Sequence, residues 1–144
     1  MPTDTRGPMR PTDIADPVPG GVRVLVTGAA EDDGIILAAM LRLRGFDART
    51  ARTADAALAA AALAPPQVVI TDPDLPGWRD VIGRLRERPD PPAVVVLSGH
   101  AGEPWRAAAA DAGADAYLLK PADVEELVGL LRRLTTRPAG GGAA

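Results

Sequence analysis

The runs Val68-Val69-Ile70-Thr71 and Ala93-Val94-Val95-Val96-Leu97 constrain this chain more than any other feature in it. A strand with one solvated face alternates apolar and polar residues, and these runs do not alternate. Short, β-branched and uncharged, each reads as a strand buried on both faces, the pattern of a parallel sheet covered by helices. Each also stops at a polar residue beside turn formers: Asp72-Pro73 after the first run, Ser98-Gly99-His100 after the second.

The remaining chain supplies the partners such a sheet needs. Val22 to Thr27 reads as a first strand, and the loop from Gly28 to Gly34 leads into a helix over 35–44, with Arg in its last turn and Gly45 as its stop. Phe46 to Thr50 is a weaker strand, expected towards the sheet edge. Thr53 caps an Ala-rich helix over 54–63 that Pro65-Pro66 ends. A helix over 79–88 turns Val81, Ile82 and Leu85 inward, and another runs from about 104 to 112 with Pro104 in its first turn. Asp115 to Leu119 is a fifth strand. Asp123 with Glu126 makes a capping-box-like start to a last helix, whose Val124, Leu127, Leu131 and Leu134 share one face.

Strand and helix therefore alternate five times. That order forces parallel strands with right-handed crossovers and helices on both faces. The expected fold is an α/β, three-layer, doubly wound (βα)5 domain of flavodoxin-like type over residues 21–135. Residues 1–20, with Pro2, Pro8, Pro11, Pro17 and Pro19 and few apolar side chains, are expected to form a disordered arm. Residues 136–144, rich in Gly and Ala, are expected to be a flexible tail.

Composition excludes several classes. The net charge of −3 and the lack of any Lys/Arg cluster argue against a nucleic-acid surface. With no cysteine there is no disulfide, thiol nucleophile or thiolate metal site. No apolar run approaches the ~18 residues of a membrane span, and no leader pattern is visible. A cytoplasmic protein without a membrane partner is the expectation.

Function in open α/β sheets gathers at the carboxyl ends of the strands. Three polar groups stand there: Asp72, Ser98 and Lys120. Any one of them could merely cap a strand. Together, a carboxylate, a hydroxyl and an ammonium form a set suited to handling a phosphoryl group. The carboxylate can accept it as an acyl phosphate, the lysine supplies a point charge for the incoming oxygens, and the serine a hydrogen bond.

At this point the chain resembles the receiver domain of bacterial two-component response regulators. The resemblance covers roughly residues 22 to 134. It rests on Asp72-Pro73-Asp74-Leu75-Pro76-Gly77, on Leu97-Ser98-Gly99-His100-Ala101, and on Ala112-Gly113-Ala114-Asp115-Ala116-Tyr117-Leu118-Leu119-Lys120-Pro121. It implies that Asp72 is the phospho-acceptor, that Ser98 and Lys120 stabilise the phosphoryl group, and that the Lys120-Pro121 bond is cis. It implies that Ser98 and Tyr117 act as switch residues, Tyr117 on the face of the fourth helix, fifth strand and fifth helix. A plainer reading of Tyr117 is a half-buried ring packed on Leu127 or Val128.

One position set departs from the family. Receivers carry two adjacent acids after the first strand, which hold Mg²⁺ with the acceptor; Gly28 and Ala29 stand there. Glu31 and Asp32, with Asp33, lie further on, either as displaced metal ligands or as charges that favour a helix N-terminus. Asp72 and the Asp74 backbone carbonyl remain as weak metal ligands. One carboxylate at ~4 Å attracts a divalent cation by about 8 kcal/mol gross at an effective dielectric of ~20, before dehydration. Mg²⁺ gives up water reluctantly and usually needs further oxygens.

Val26-Thr27-Gly28-Ala29-Ala30 also looks like the start of a dinucleotide fingerprint, but Glu31, Asp32 and Asp33 occupy the turn that should receive pyrophosphate. No nucleotide cofactor is expected. His100, without a ligand-like neighbour in sequence, reads as a solvent-facing loop residue, and Trp78 and Trp105 as cover for the site rim or apolar surface.

The functional expectation is a regulatory, non-enzymatic single-domain receiver. Its partners would be a histidine kinase or phosphotransfer protein and a downstream protein, with a homodimer compatible; no DNA-binding segment is seen after residue 134. The alternative is a pseudo-receiver that binds partners without phosphorylation.

Overall fold

In the computed structural model, which describes residues 20–28 and 33–135, every expected strand and helix is present. In chain order they are β1 (Arg23–Thr27), α1 (Asp33–Arg42), β2 (Asp47–Ala51), α2 (Ala54–Leu63), β3 (Val68–Thr71), α3 (Trp78–Arg86), β4 (Ala93–Ser98), α4 (Glu103–Ala112), β5 (Ala116–Leu119) and α5 (Val124–Thr135). The expected N-terminal arm, apart from Gly20, and the expected C-terminal tail lie outside the described residues.

All strand pairs are parallel, in the order β2-β1-β3-β4-β5. Period-2 geometry sorts the strand residues onto two faces. Val24, Val26, Val68, Ile70, Val95 and Leu97 meet α1 and α5 through Leu41, Leu127 and Leu131. Leu25 and Val69 turn the other way, onto Ala57 and Ala61 of α2 and Val81 and Leu85 of α3. Val94 and Val96 join them on that face, against Ile82 and Ala109. The buried, uncharged runs of β1 after Arg23, of β3 and of β4 are what a sheet covered on both sides requires. Each fully buried Val, Leu or Ile contributes about 1.5–3 kcal/mol relative to exposure.

The helix boundaries follow local chemistry. Thr53 caps α2 by accepting the Ala56 N–H at 3.0 Å. Asp123 caps α5 as expected, but its side chain accepts the Glu125 N–H, at 2.9 Å, instead of the Glu126 N–H of a reciprocal box. α1 runs 33–42 instead of 35–44, because the chain closes at its end in a turn. There Phe46 N–H donates to the Leu41 carbonyl, with Gly45 at φ +90°. α3 ends at Arg86 instead of 88. Its last bonds, Glu87 to Arg84 and Arg88 to Leu85, span three residues, a tightened final turn before Pro89.

The order places one crevice above all others. The chain steps from β1 outward to β2, then returns to β3 on the other side of β1, so the crossovers on either side of β1 diverge. Ligands of open α/β sheets bind outside the strand ends at such a switch point. β3 ends there, and the next residue is Asp72.

Candidate functional site

Asp72 follows the last residue of β3 and is 6% exposed. Two local bonds shape its loop. Asp72 Oδ1 accepts the Asp74 N–H at 2.8 Å, and the Asp72 carbonyl accepts the Leu75 N–H at 2.9 Å. An aspartate that binds the backbone two residues on is an Asx turn, and Pro73 suits its fixed φ. Leu75 anchors the loop in the core, and Gly77 then turns at φ +85° into α3.

The second carboxylate oxygen faces Lys120. Lys120 Nζ donates to Asp72 Oδ2 at 2.6 Å, with side chains 29% and 9% exposed respectively. Lys120 is held from behind as well, since its N–H donates to the Ser98 carbonyl at 2.8 Å and its bond to Pro121 is cis. Ser98, at the end of β4, is fully buried, and its Oγ accepts the His100 N–H at 2.9 Å. The fold therefore brings Asp72, Ser98 and Lys120 to one edge from three neighbouring strands.

Beneath them, Thr27 and Thr71 end β1 and β3 side by side and share a buried hydroxyl bond at 2.9 Å. A cavity of about 30 Å³ opens between Thr27, Gly28, Gly34, Asp72 and Lys120. That is room for about one water molecule.

The metal position can be tested on Gly28. A Cβ added there would lie 3.7 Å from Asp72 Cβ, so Gly28 adjoins Asp72 and supplies no side-chain oxygen. The Asp74 carboxylate is turned away, its Oδ1 accepting from His100 Nε2 at 2.8 Å. Among the described residues no group of three His, Asp or Glu side chains is arranged to hold a metal. A Mg²⁺ ion wants several oxygens in octahedral array, and among the described residues lining this crevice Asp72 alone carries a carboxylate. Glu31 and Asp32, expected as displaced ligands, lie outside the described residues.

One expectation is corrected. Tyr117 does not pack on Leu127 or Val128. It pairs with Val96 and lies with Val96, Ile82 and Ala109 on the α3–α4 side, whereas Leu127 and Val128 lie under the opposite face. Its hydroxyl donates to the His100 carbonyl, and the Arg106 guanidinium sits 5.1 Å over its ring. His100 is the solvent-facing loop residue expected, its side chain 38% exposed, and it also has partners. Besides Asp74, it stacks on Trp105 with ring centres 4.1 Å apart and planes 11° from parallel. Trp105 thus stands at the site rim, and Trp78 covers the Ile82 cluster.

The signal for His100 was an equal offset. Asp74 lies two residues beyond Asp72 and His100 two beyond Ser98, on loops leaving adjacent parallel strands.

Known proteins resemble this chain in sequence and in fold. Residues 29–132 match the family model described as the response regulator receiver domain. The chain is 42% identical over 113 residues to the transcriptional regulatory protein KdpE of Mycobacterium tuberculosis, covering 74% of this chain and 49% of that protein. It is 39% identical over 120 residues to the probable transcriptional regulatory protein TcrX of the same species, covering 78% and 50%. The chain thus spans about half the length of the curated relatives it matches. The solved structure of the Vibrio cholerae chemotaxis protein CheY4 superimposes with a TM-score of 0.74 at 22% identity, over 80% of this chain and 99% of that one. At that identity the likeness is one of fold.

Proposed function

The chain belongs to the response regulator receiver family, the regulatory modules of two-component signalling, and from that premise we propose that Asp72 is its phospho-acceptor. The observation that carries this reading is the Asp72–Lys120 contact at the switch point, with the buried Ser98 at the end of the adjacent strand β4. An Asp72 carboxylate oxygen attacks phosphorus in line. The bond from phosphorus to the donor's nitrogen or oxygen breaks as the new O–P bond forms, and the leaving group departs with the electron pair. The Lys120 ammonium, held against the carboxylate, offsets the charge brought in by the phosphoryl oxygens. The Ser98 hydroxyl, free to rotate its proton, donates to one of them.

In this reading the donor is a histidine kinase or phosphotransfer protein. The output is a protein docked on the face of α4, β5 and α5, where Tyr117 responds. The domain is regulatory and not an enzyme with a separate substrate, and its place is the cytoplasm. Among the described residues no helix is long and apolar enough to cross a membrane. The donor set favours little dependence on Mg²⁺, because Asp72 is the one carboxylate the described residues bring to the crevice.

A second reading is favoured by Gly28, which leaves the position beside Asp72 without an acid. The same surface would then bind partners whether or not Asp72 is modified.

Intact-mass analysis of wild type and Asp72→Ala, with acetyl phosphate and with or without Mg²⁺, separates the two. The acceptor reading expects one phosphoryl adduct on wild type alone. No adduct under any condition supports the second reading.

A further inference from the structure

His100 is bonded to three elements that surround the crevice. Its ring donates from Nε2 to Asp74 in the β3–α3 loop and stacks on Trp105 in α4. Its N–H is held by Ser98 Oγ, and its carbonyl receives the Tyr117 hydroxyl. From Asp72 the path to Tyr117 is three hydrogen bonds long. Asp74 N–H donates to Asp72 Oδ1, His100 Nε2 to Asp74 Oδ1, and Tyr117 Oη to the His100 carbonyl.

We infer that His100 is a positioning residue: the clamp formed by Asp74 and Trp105 on its ring fixes the carbonyl to which Tyr117 is tied, and so sets the position of the Tyr117 ring in the unmodified chain. The physical case rests on how a loop is held. The β4–α4 segment contains Gly99 and Gly102, neither of which has a side chain to pack. Exposed residues there stay fixed where several contacts over-determine them. His100 has one contact on each of its four sides: backbone N–H, carbonyl, ring nitrogen and ring face. Trp105 and Arg106 both lie in the first turn of α4, one on His100 and the other over the Tyr117 ring, so the same turn packs on both ends of the tie. Releasing the imidazole leaves His100 with only its two backbone bonds, to Ser98 Oγ and to the Tyr117 hydroxyl itself, and the Tyr117 ring gains a second position.

This inference deepens the acceptor reading, on which its signalling meaning rests, but its test needs no phosphoryl donor. The sequence contains one tyrosine, so incorporation of 3-fluorotyrosine gives a single fluorine reporter at position 117. Wild type is expected to give one sharp resonance. Asp74→Ala and His100→Ala, made separately, are expected to give a second or exchange-broadened resonance, with the ratio of the two ring positions changed about two- to tenfold, as for loss of one ordinary hydrogen bond. Asp74→Asn keeps an acceptor oxygen and is expected to retain the wild-type spectrum. Thermal unfolding of each variant confirms that the fold is intact. Wild-type spectra from both alanine variants would overturn the inference, whatever the mass analysis of Asp72 reports. Failure of Asp72 to accept a phosphoryl group, with the fluorine shifts as expected, would remove the acceptor reading and leave the clamp standing.

Discussion

Lys120 Nζ lies 2.6 Å from Asp72 Oδ2, an ammonium and a carboxylate brought together from residues 48 apart in sequence. The carboxylate is almost wholly buried, while the lysine side chain is 29% exposed. Removing one partner of a fully buried pair costs about 3–5 kcal/mol, because the other charge is left uncompensated.

Lys120→Met should therefore destabilise the domain, by about 1–3 kcal/mol given that Lys120 keeps a partly exposed head. Asp72→Asn in the same background should recover part of the loss. Urea unfolding of both single variants and the double variant measures the coupling. Strict additivity would show that the contact carries no energy.

Ser98→Ala removes a fully buried hydroxyl that accepts the His100 N–H. A stability loss of about 1–2 kcal/mol is expected from the unpaired N–H. The yield of acyl phosphate should fall as well, since the hydroxyl that would meet the phosphoryl oxygens is gone. Unchanged yield would remove Ser98 from the site.

Gly28→Asp restores an acid beside Asp72, where a Cβ has ordinary contact room. Mg²⁺ affinity measured by calorimetry should rise at least about tenfold, equivalent to ~1.4 kcal/mol. Without metal the two like charges should lower stability. No gain in affinity would show that the crevice cannot be rebuilt from this position alone.

Gly77→Ala tests how the acceptor loop is built. Gly77 holds φ +85°, and an added Cβ would come within 3.2 Å of Ala54 Cβ. The backbone conformation alone costs a non-glycine residue about 1–2 kcal/mol. A lower melting temperature and slower phosphoryl uptake are expected together, because the same turn positions Asp72 and starts α3.

The sequence was most informative where the chain is covered on both sides. β3 and β4 could be placed because unbroken apolar runs leave no solvated face, and β1 because only Arg23 interrupts its apolar run. Asp72, Ser98 and Lys120 followed from being the polar ends of those strands and of β5. β5 itself is Ala-Tyr-Leu-Leu, four apolar or amphipathic residues at the sheet edge, and no alternation tells which of them faces α5. Only the pairing of Tyr117 with Val96 settles that it turns to α4. The contacts of His100 are hidden from the sequence for a related reason. Its partners, Asp74 and Trp105, come from different loops and helices, and nothing local in Ser98-Gly99-His100 announces them. Helix ends shifted by two residues at α1 and α3 because turn bonds beyond the helix compete with its last turn.

The most direct test of the central claim is borohydride trapping of the acyl phosphate after treatment with acetyl phosphate or a phosphorylated donor protein, followed by peptide mapping. Reduction of an aspartyl phosphate leaves homoserine. The acceptor assignment predicts homoserine at position 72 in wild type and none in Asp72→Asn. Homoserine at another acid, or at none, would contradict it.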